Sequence, residues 1–227
     1  MRIIKGGKKM KKKLLLLLSC IFIVSHLFAG DVFVQDFRTR ASFSLNYKPI
    51  KAITLNWTEE ARFKDNSSKF DRIYSGLGIT YNAHKNFSMG AVYEFQVLQK
   101  AKDYFQFRHR VKFVLQPNVS FGRFNLSLRE MPQMTYSSSV DWQLRSRLKL
   151  NYSFMNKHLK PYISAEMYNP LKKNVDISNW VSKANYRAGV EWKIDSMNGL
   201  EFYYMFEHEV TNKVGSHIIG VAYNLGL

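Results

Sequence analysis

The chain has 227 residues, 34 lysines and arginines against 17 acidic residues, a formal net charge of +17 and one cysteine, Cys20. One cysteine excludes an intrachain disulfide framework, and the length fits one large domain or two small ones. The charge alone would point to nucleic acid. However, residues 1–30 carry seven basic residues and no acid, so the rest holds 27 basic against 17 acidic residues, or +10. No nucleic-acid partner is expected.

Residues 1–30 read as an export signal: a basic start, the apolar run Leu14 to Phe28, then the small residues Ala29 and Gly30. The run is shorter than the roughly 20 residues a spanning helix needs. Met10 followed by "KKKLLLLL" makes the neater signal and is the preferred start. Cys20, preceded by "LLS", also fits lipid attachment, but the apolar run continues past it, so it is expected to leave with the signal.

From Asp31 onward the sequence alternates apolar and polar residues over 10 to 16 positions, the pattern of half-buried strands. The predicted strands are 32–48, 51–64, 70–82, 86–99, 103–116, 122–136, 140–153, 159–168, 182–194, 199–210 and 215–227. They exceed the roughly 5–6 residues usual in globular sheets and match the roughly 9–11 of a tilted membrane strand. Short connections such as "AHKN" alternate with longer ones such as "NPLKKNVDISNWVS" (169–182), and the five prolines are placed at or beside connections. Aromatic residues gather toward strand ends (Trp57, Tyr81, Trp142, Trp192), as membrane girdles or as ordinary strand formers; the girdle reading is preferred.

The expected fold is therefore all-β: an antiparallel up-and-down transmembrane β-barrel of 10–12 strands over residues 31–227, in the outer membrane of a Gram-negative bacterium. Eleven strands can be seen, whereas single-chain bacterial barrels have even numbers. A soluble barrel with an inward apolar face is the alternative, but such barrels use eight strands.

With lipid outside, the charged face turns inward. The predicted lumen cations are Arg38 and Arg40 on the first strand, Arg62 on the second, Arg72 on the third, and Arg108, Arg110 and Lys112 on the fifth. Later strands add Arg129, then Arg145, Arg147 and Lys149, then Arg187 and Lys193. The predicted lumen acids are Glu60, Glu94, Glu166, Glu191, Glu201, Glu207 and Glu209. An arginine at mid-depth on the lipid side would cost about 2–4 kcal/mol, and a one-residue slip would turn the whole set outward. Either these charges interlock and fill the barrel, or they line a narrow wet pore that favours small anions.

At "DRIYSGLGITY" (71–81), "YFQFRHRVKF" (104–113), "FGRFNLSLRE" (121–130), "LRSRLKLNY" (144–152), "KPYISAEMYN" (160–169) and "HIIGVAYNL" (217–225) the chain resembles the outer-membrane barrel family called domain of unknown function 2490. The resemblance covers nearly all of 31–227. It implies an outer-membrane barrel with no established activity, in contact with lipid and lipopolysaccharide and inserted by the barrel-assembly machinery. Such barrels usually end on an aromatic residue; this chain ends in Leu227.

There is no phosphate loop, paired-cysteine metal site or Gly-x-Ser-x-Gly elbow, so no cofactor or metal is expected. His109 is the exception to the pattern: it falls on the apolar face between Phe107 and Val111. With the outward Glu59, Glu130, Ser75 and Ser146 it could form the acid–base set of a lipid A hydrolase or acyltransferase. A plain interfacial imidazole is the preferred reading, and the protein is expected not to be an enzyme. A third reading makes the 169–182 loop a binding platform.

Overall fold

The computed structural model describes residues 33–101, 104–154, 158–171 and 180–227. The predicted signal segment, and most of the 169–182 loop, lie outside the described residues. The described chain is eleven β-strands that close into a barrel in sequential order. They are β1 (Phe33–Ile50), β2 (Ile53–Lys64), β3 (Lys69–His84), β4 (Phe87–Ala101), β5 (Tyr104–Phe121) and β6 (Phe124–Tyr136). The others are β7 (Val140–Tyr152), β8 (Leu159–Pro170), β9 (Lys183–Lys193), β10 (Asn198–Glu209) and β11 (Val214–Gly226).

The strand number is odd, against the even number expected from other barrels. All ten sequential pairs are antiparallel, so β11 runs in the same direction as β1 and the closing pair is parallel. The hydrogen bonds at the seam show this directly. Lys48 N–H donates to the Leu227 carbonyl at 3.1 Å, and Leu227 N–H donates to the Asn46 carbonyl at 2.8 Å. One residue bracketed by two alternate residues is the parallel pattern. The start of β1 and the end of β11 therefore lie at opposite mouths.

Turn chemistry fits the tight connections. Gly122, with φ of 62°, makes the β5–β6 turn. Asp65, Asn66 and Ser67 all have positive φ in the β2–β3 turn, where Asn66 N–H reaches Asp36 Oδ1 at 2.9 Å.

Two prolines lie elsewhere than expected. Pro117 is inside β5 and Pro132 inside β6. The β5–β6 ladder is interrupted between Lys112/Gln133 and Leu115/Glu130, and again between Leu115/Glu130 and Asn118/Ser127. Pro132 and Pro117 fall in these two gaps, where their missing donors are tolerated.

Candidate functional site

The two faces of the wall differ in character. Leu77 (61% exposed), Phe107 (58%), Phe113, Leu148, Phe202 and Ile219 are large apolar side chains that face outward on strands around the barrel. Met205, Ile218 and Gln96, on the opposite parity, are fully buried, and Glu94, Glu166 and Glu207 are buried beside them on the same face. The alternation that makes each strand therefore puts grease outside and charge inside.

Register places nineteen of the twenty predicted lumen residues on this one face, and Arg38 reaches it through its bond to Glu207. Three carboxylates act as hubs. Glu207 on β10 receives Arg38 at 3.1 Å and Arg40 at 3.2 Å from β1, and Lys183 at 3.3 Å from β9. Glu166 on β8 takes Arg129 at 2.9 Å and Arg145 at 3.0 Å on one oxygen, while the Tyr168 hydroxyl donates to the other at 3.2 Å. Glu94 on β4 holds Lys112, Arg110 at 3.5 Å and the Gln96 amide at 3.1 Å.

Smaller pairs are Glu60 with Arg62, Glu191 with Lys149 at 2.5 Å, and Glu201 with Arg187 at 3.8 Å. Arg72 pairs with Asp71 at 2.7 Å, and Arg108 donates to Gln106 at 3.2 Å. Arg38 to Glu207, Arg129 to Glu166 and Lys149 to Glu191 each step over an intervening strand, which only inward-pointing side chains can do. A buried carboxylate is tolerable only with such partners.

Four tyrosines share the inner face and did not enter the predicted site. Tyr162 lies against Gly189, and Tyr203 against Gly220; a Cβ at Gly220 would fall 2.0 Å from the Tyr203 ring. The glycines let the rings lie flat on the wall. Cations then cover the rings: Lys149 sits 3.9 Å over Tyr162, and Arg187 sits 4.1 Å over Tyr203. Tyr168 is approached by Arg145 at 4.6 Å and Lys183 at 4.4 Å, and Tyr74 by Arg62 at 5.5 Å. Tyr162, Tyr203, Met205 and Ile218 form a buried apolar cluster. The sequence signal was present, because these tyrosines carry the same parity as the arginines.

A cavity of about 730 Å3 opens at the mouth that holds Leu227, lined among others by Lys48, Lys160, Lys193, Glu191, Glu201 and Asn224. A second, of about 330 Å3, opens at the other mouth beside Arg110, Tyr168, Lys183 and Glu209. The two share no lining residue. At the first mouth Asp195, in the β9–β10 turn, accepts from the Asn198 side chain and from the backbone N–H groups of Asn198 and Met197, each at 2.7 Å. These bonds hold its carboxyl below the ordinary carboxylate range.

On the outer wall, His109 Nδ1 meets the Tyr93 hydroxyl at 2.7 Å and packs beside Phe95 and Tyr136. His217 pairs the same way with Tyr204 and packs beside Phe206. Ser146 donates to Glu130 at 2.6 Å, and the Trp57 ring N–H reaches Glu59 at 2.8 Å and Ser75 at 3.3 Å. The structure thus brings each serine near an acid but puts neither serine against His109. Among the described residues, no group of three or more His, Cys, Asp or Glu side chains could hold a metal ion.

No curated protein matches the chain in sequence. Among solved structures, it is similar to the translocator domain of the autotransporter NalP from Neisseria meningitidis. Identity is 12%, with 75% of this chain and 72% of that chain covered and a TM-score of 0.39. The family match is extensive: residues 38–214, from the first lumen arginine to the start of β11, fit the family described as Protein of unknown function (DUF2490). With most of the barrel wall inside that match, this chain belongs to the DUF2490 family.

Proposed function

We propose that this protein is a non-enzymatic outer-membrane β-barrel of a Gram-negative bacterium, a wall element whose interior is plugged by its own side chains. The observation that carries the reading is the two-faced wall. An extensive exposed apolar surface, interrupted by a few polar side chains that bond one another, needs hydrocarbon around it, because such patches are rare on soluble monomers. Buried hubs at Glu94, Glu166 and Glu207, with fully buried Met205 and Ile218, occupy the space a porin leaves to water. Outer-membrane lipid and lipopolysaccharide are its surroundings, and the barrel-assembly machinery its route of insertion.

A narrow path for small anions is the second reading. It is favoured by the 13 cations against 7 acids predicted on the inner face and by the cavity at each mouth. The lipid A hydrolase or acyltransferase reading needs a base within reach of a nucleophile, and the pairing of His109 with Tyr93 does not favour it.

Cell fractionation and planar-bilayer recording test the proposal together. The protein should sediment with the outer membrane and, once inserted, give no porin-sized conductance. Small anion-preferring steps would support the second reading; large, unselective steps would overturn the plugged interior.

A further inference from the structure

The inner face holds more positive charge than its carboxylates neutralise, and the excess is sharpest on β7. Arg145, Arg147 and Lys149 are three successive inward side chains there. Arg145 bonds Glu166 and Lys149 bonds Glu191. Arg147 stands between them, and in register it lies between Arg129 on β6 and Glu166 on β8. Glu166 is therefore its natural partner.

That carboxylate is already taken. Arg129 reaches over β7 to one Glu166 oxygen, Arg145 shares the same oxygen, and Tyr168 holds the other. Among the described residues Arg147 makes no hydrogen bond or ion pair, and its Nε is buried without a partner. The Nε atoms of Arg129 and Arg145 are in the same state. Three guanidinium groups thus surround one carboxylate, with like charges directly opposed at Arg129 and Arg147, which costs stability unless more negative charge enters. Water can satisfy an N–H but does not neutralise the cluster.

We propose that Arg147, with Arg129 and Arg145, forms an oxyanion-binding site inside the barrel, for a phosphate or carboxylate group. The chemistry follows from the side chain, since a guanidinium fork presents two parallel N–H donors that match an oxyanion's oxygens. The other carboxylates on that side do not compete: Glu191 is held by Lys149, and Glu201 by Tyr162 and Arg187. The 730 Å3 cavity at the Leu227 mouth reaches Glu191 and Glu201, the partners of Lys149 and Arg187, and its Lys48, Lys160 and Lys193 make no ion pair among the described residues. These three ammonium groups outnumber the one side-chain carboxylate of the lining that has no cation paired to it, Asp195, and the excess favours the approach of an anion. The site belongs to the barrel interior and does not rest on the membrane reading.

The test is a calorimetric titration of the folded chain in detergent micelles with inorganic phosphate, at constant ionic strength set by chloride. Wild-type protein should show saturable heat and a phosphate-dependent rise in melting temperature. Arg147→Gln removes the charge and should weaken binding roughly tenfold or more, while melting at or above the wild-type temperature without phosphate. Arg147→Lys keeps the charge but loses the fork and should bind with intermediate strength. A parallel acetate titration separates a carboxylate ligand from a phosphate ligand, and saturation by either supports the site. No saturable response in the wild type, or an equal response in Arg147→Gln, overturns it. Should Arg147→Gln fail to fold, Arg147→Lys serves, and wild-type strength in that variant also overturns the fork geometry.

Discussion

Two stretches of the inner wall follow the same pleat and end up opposite in character. Toward the Leu227 mouth, β2–β4 turn Thr54, Asn56, Thr58, Gly76, Gly78, Thr80, Gly90 and Val92 inward, all short side chains. Across the barrel, β6–β9 turn in Arg129, Arg145, Arg147, Lys149, Glu166 and Arg187. The long residues lean across and step over neighbouring strands, while of the short residues Thr54 lines the cavity at the Leu227 mouth. Residue length on one parity sets how much of the interior each stretch of wall fills.

The largest way to break that contrast is Glu166→Gln. It strips Arg129 and Arg145 of their shared partner and should cost about 3–5 kcal/mol in urea unfolding. Adding Arg147→Gln should return part of the loss, because it lowers the uncompensated charge. Next comes the contrast between the faces. Leu148→Arg points a guanidinium from β7 into lipid and should cost about 2–4 kcal/mol for the barrel folded in a bilayer. Thr80→Arg, inward among short residues, should cost less than Leu148→Arg, because its guanidinium stays on the polar face.

Gly220→Ala drives a methyl into the Tyr203 ring and should cost about 1–3 kcal/mol, with Tyr203→Leu suppressing the effect in a double-mutant cycle. The smallest effect is Asp195→Asn in the exposed turn. The native carboxyl is depressed, so its contribution is present above the ordinary carboxylate pKa and fades as pH falls through the lower folded value. The variant's acid unfolding curve should be flatter in that window alone.

Much of this was legible in the sequence, because a period of two needs only local reading. Strand positions and the inward parity of Arg145, Arg147 and Lys149 follow from alternation alone. Pairing does not, because Glu166 chooses Arg129 over its neighbour Arg147 through side-chain reach across a curved wall. Nor does the closure: eleven strands can be counted in the sequence, but the parallel seam that lets an odd number close joins β1 to β11, at opposite ends of the chain, with no local mark. Tyr74, Tyr162, Tyr168 and Tyr203 were hidden for another reason. Charge marks the inner face in the sequence and uncharged rings do not, although their parity with the arginines already places them inside. Pro117 and Pro132 misled as loop markers because one weakened ladder, β5–β6, absorbs both.

The account stands on the orientation of the two faces, and nitroxide labelling in lipid bilayers measures it most directly. With Cys20 replaced, single cysteines at Leu77, Leu148 and Phe202 would be compared with others at Ser44, Ser127 and Ser164. The outward set should be relaxed strongly by dissolved oxygen, which concentrates in hydrocarbon, and the inward set weakly. Equal relaxation of the two sets, or the reverse order, would contradict the account.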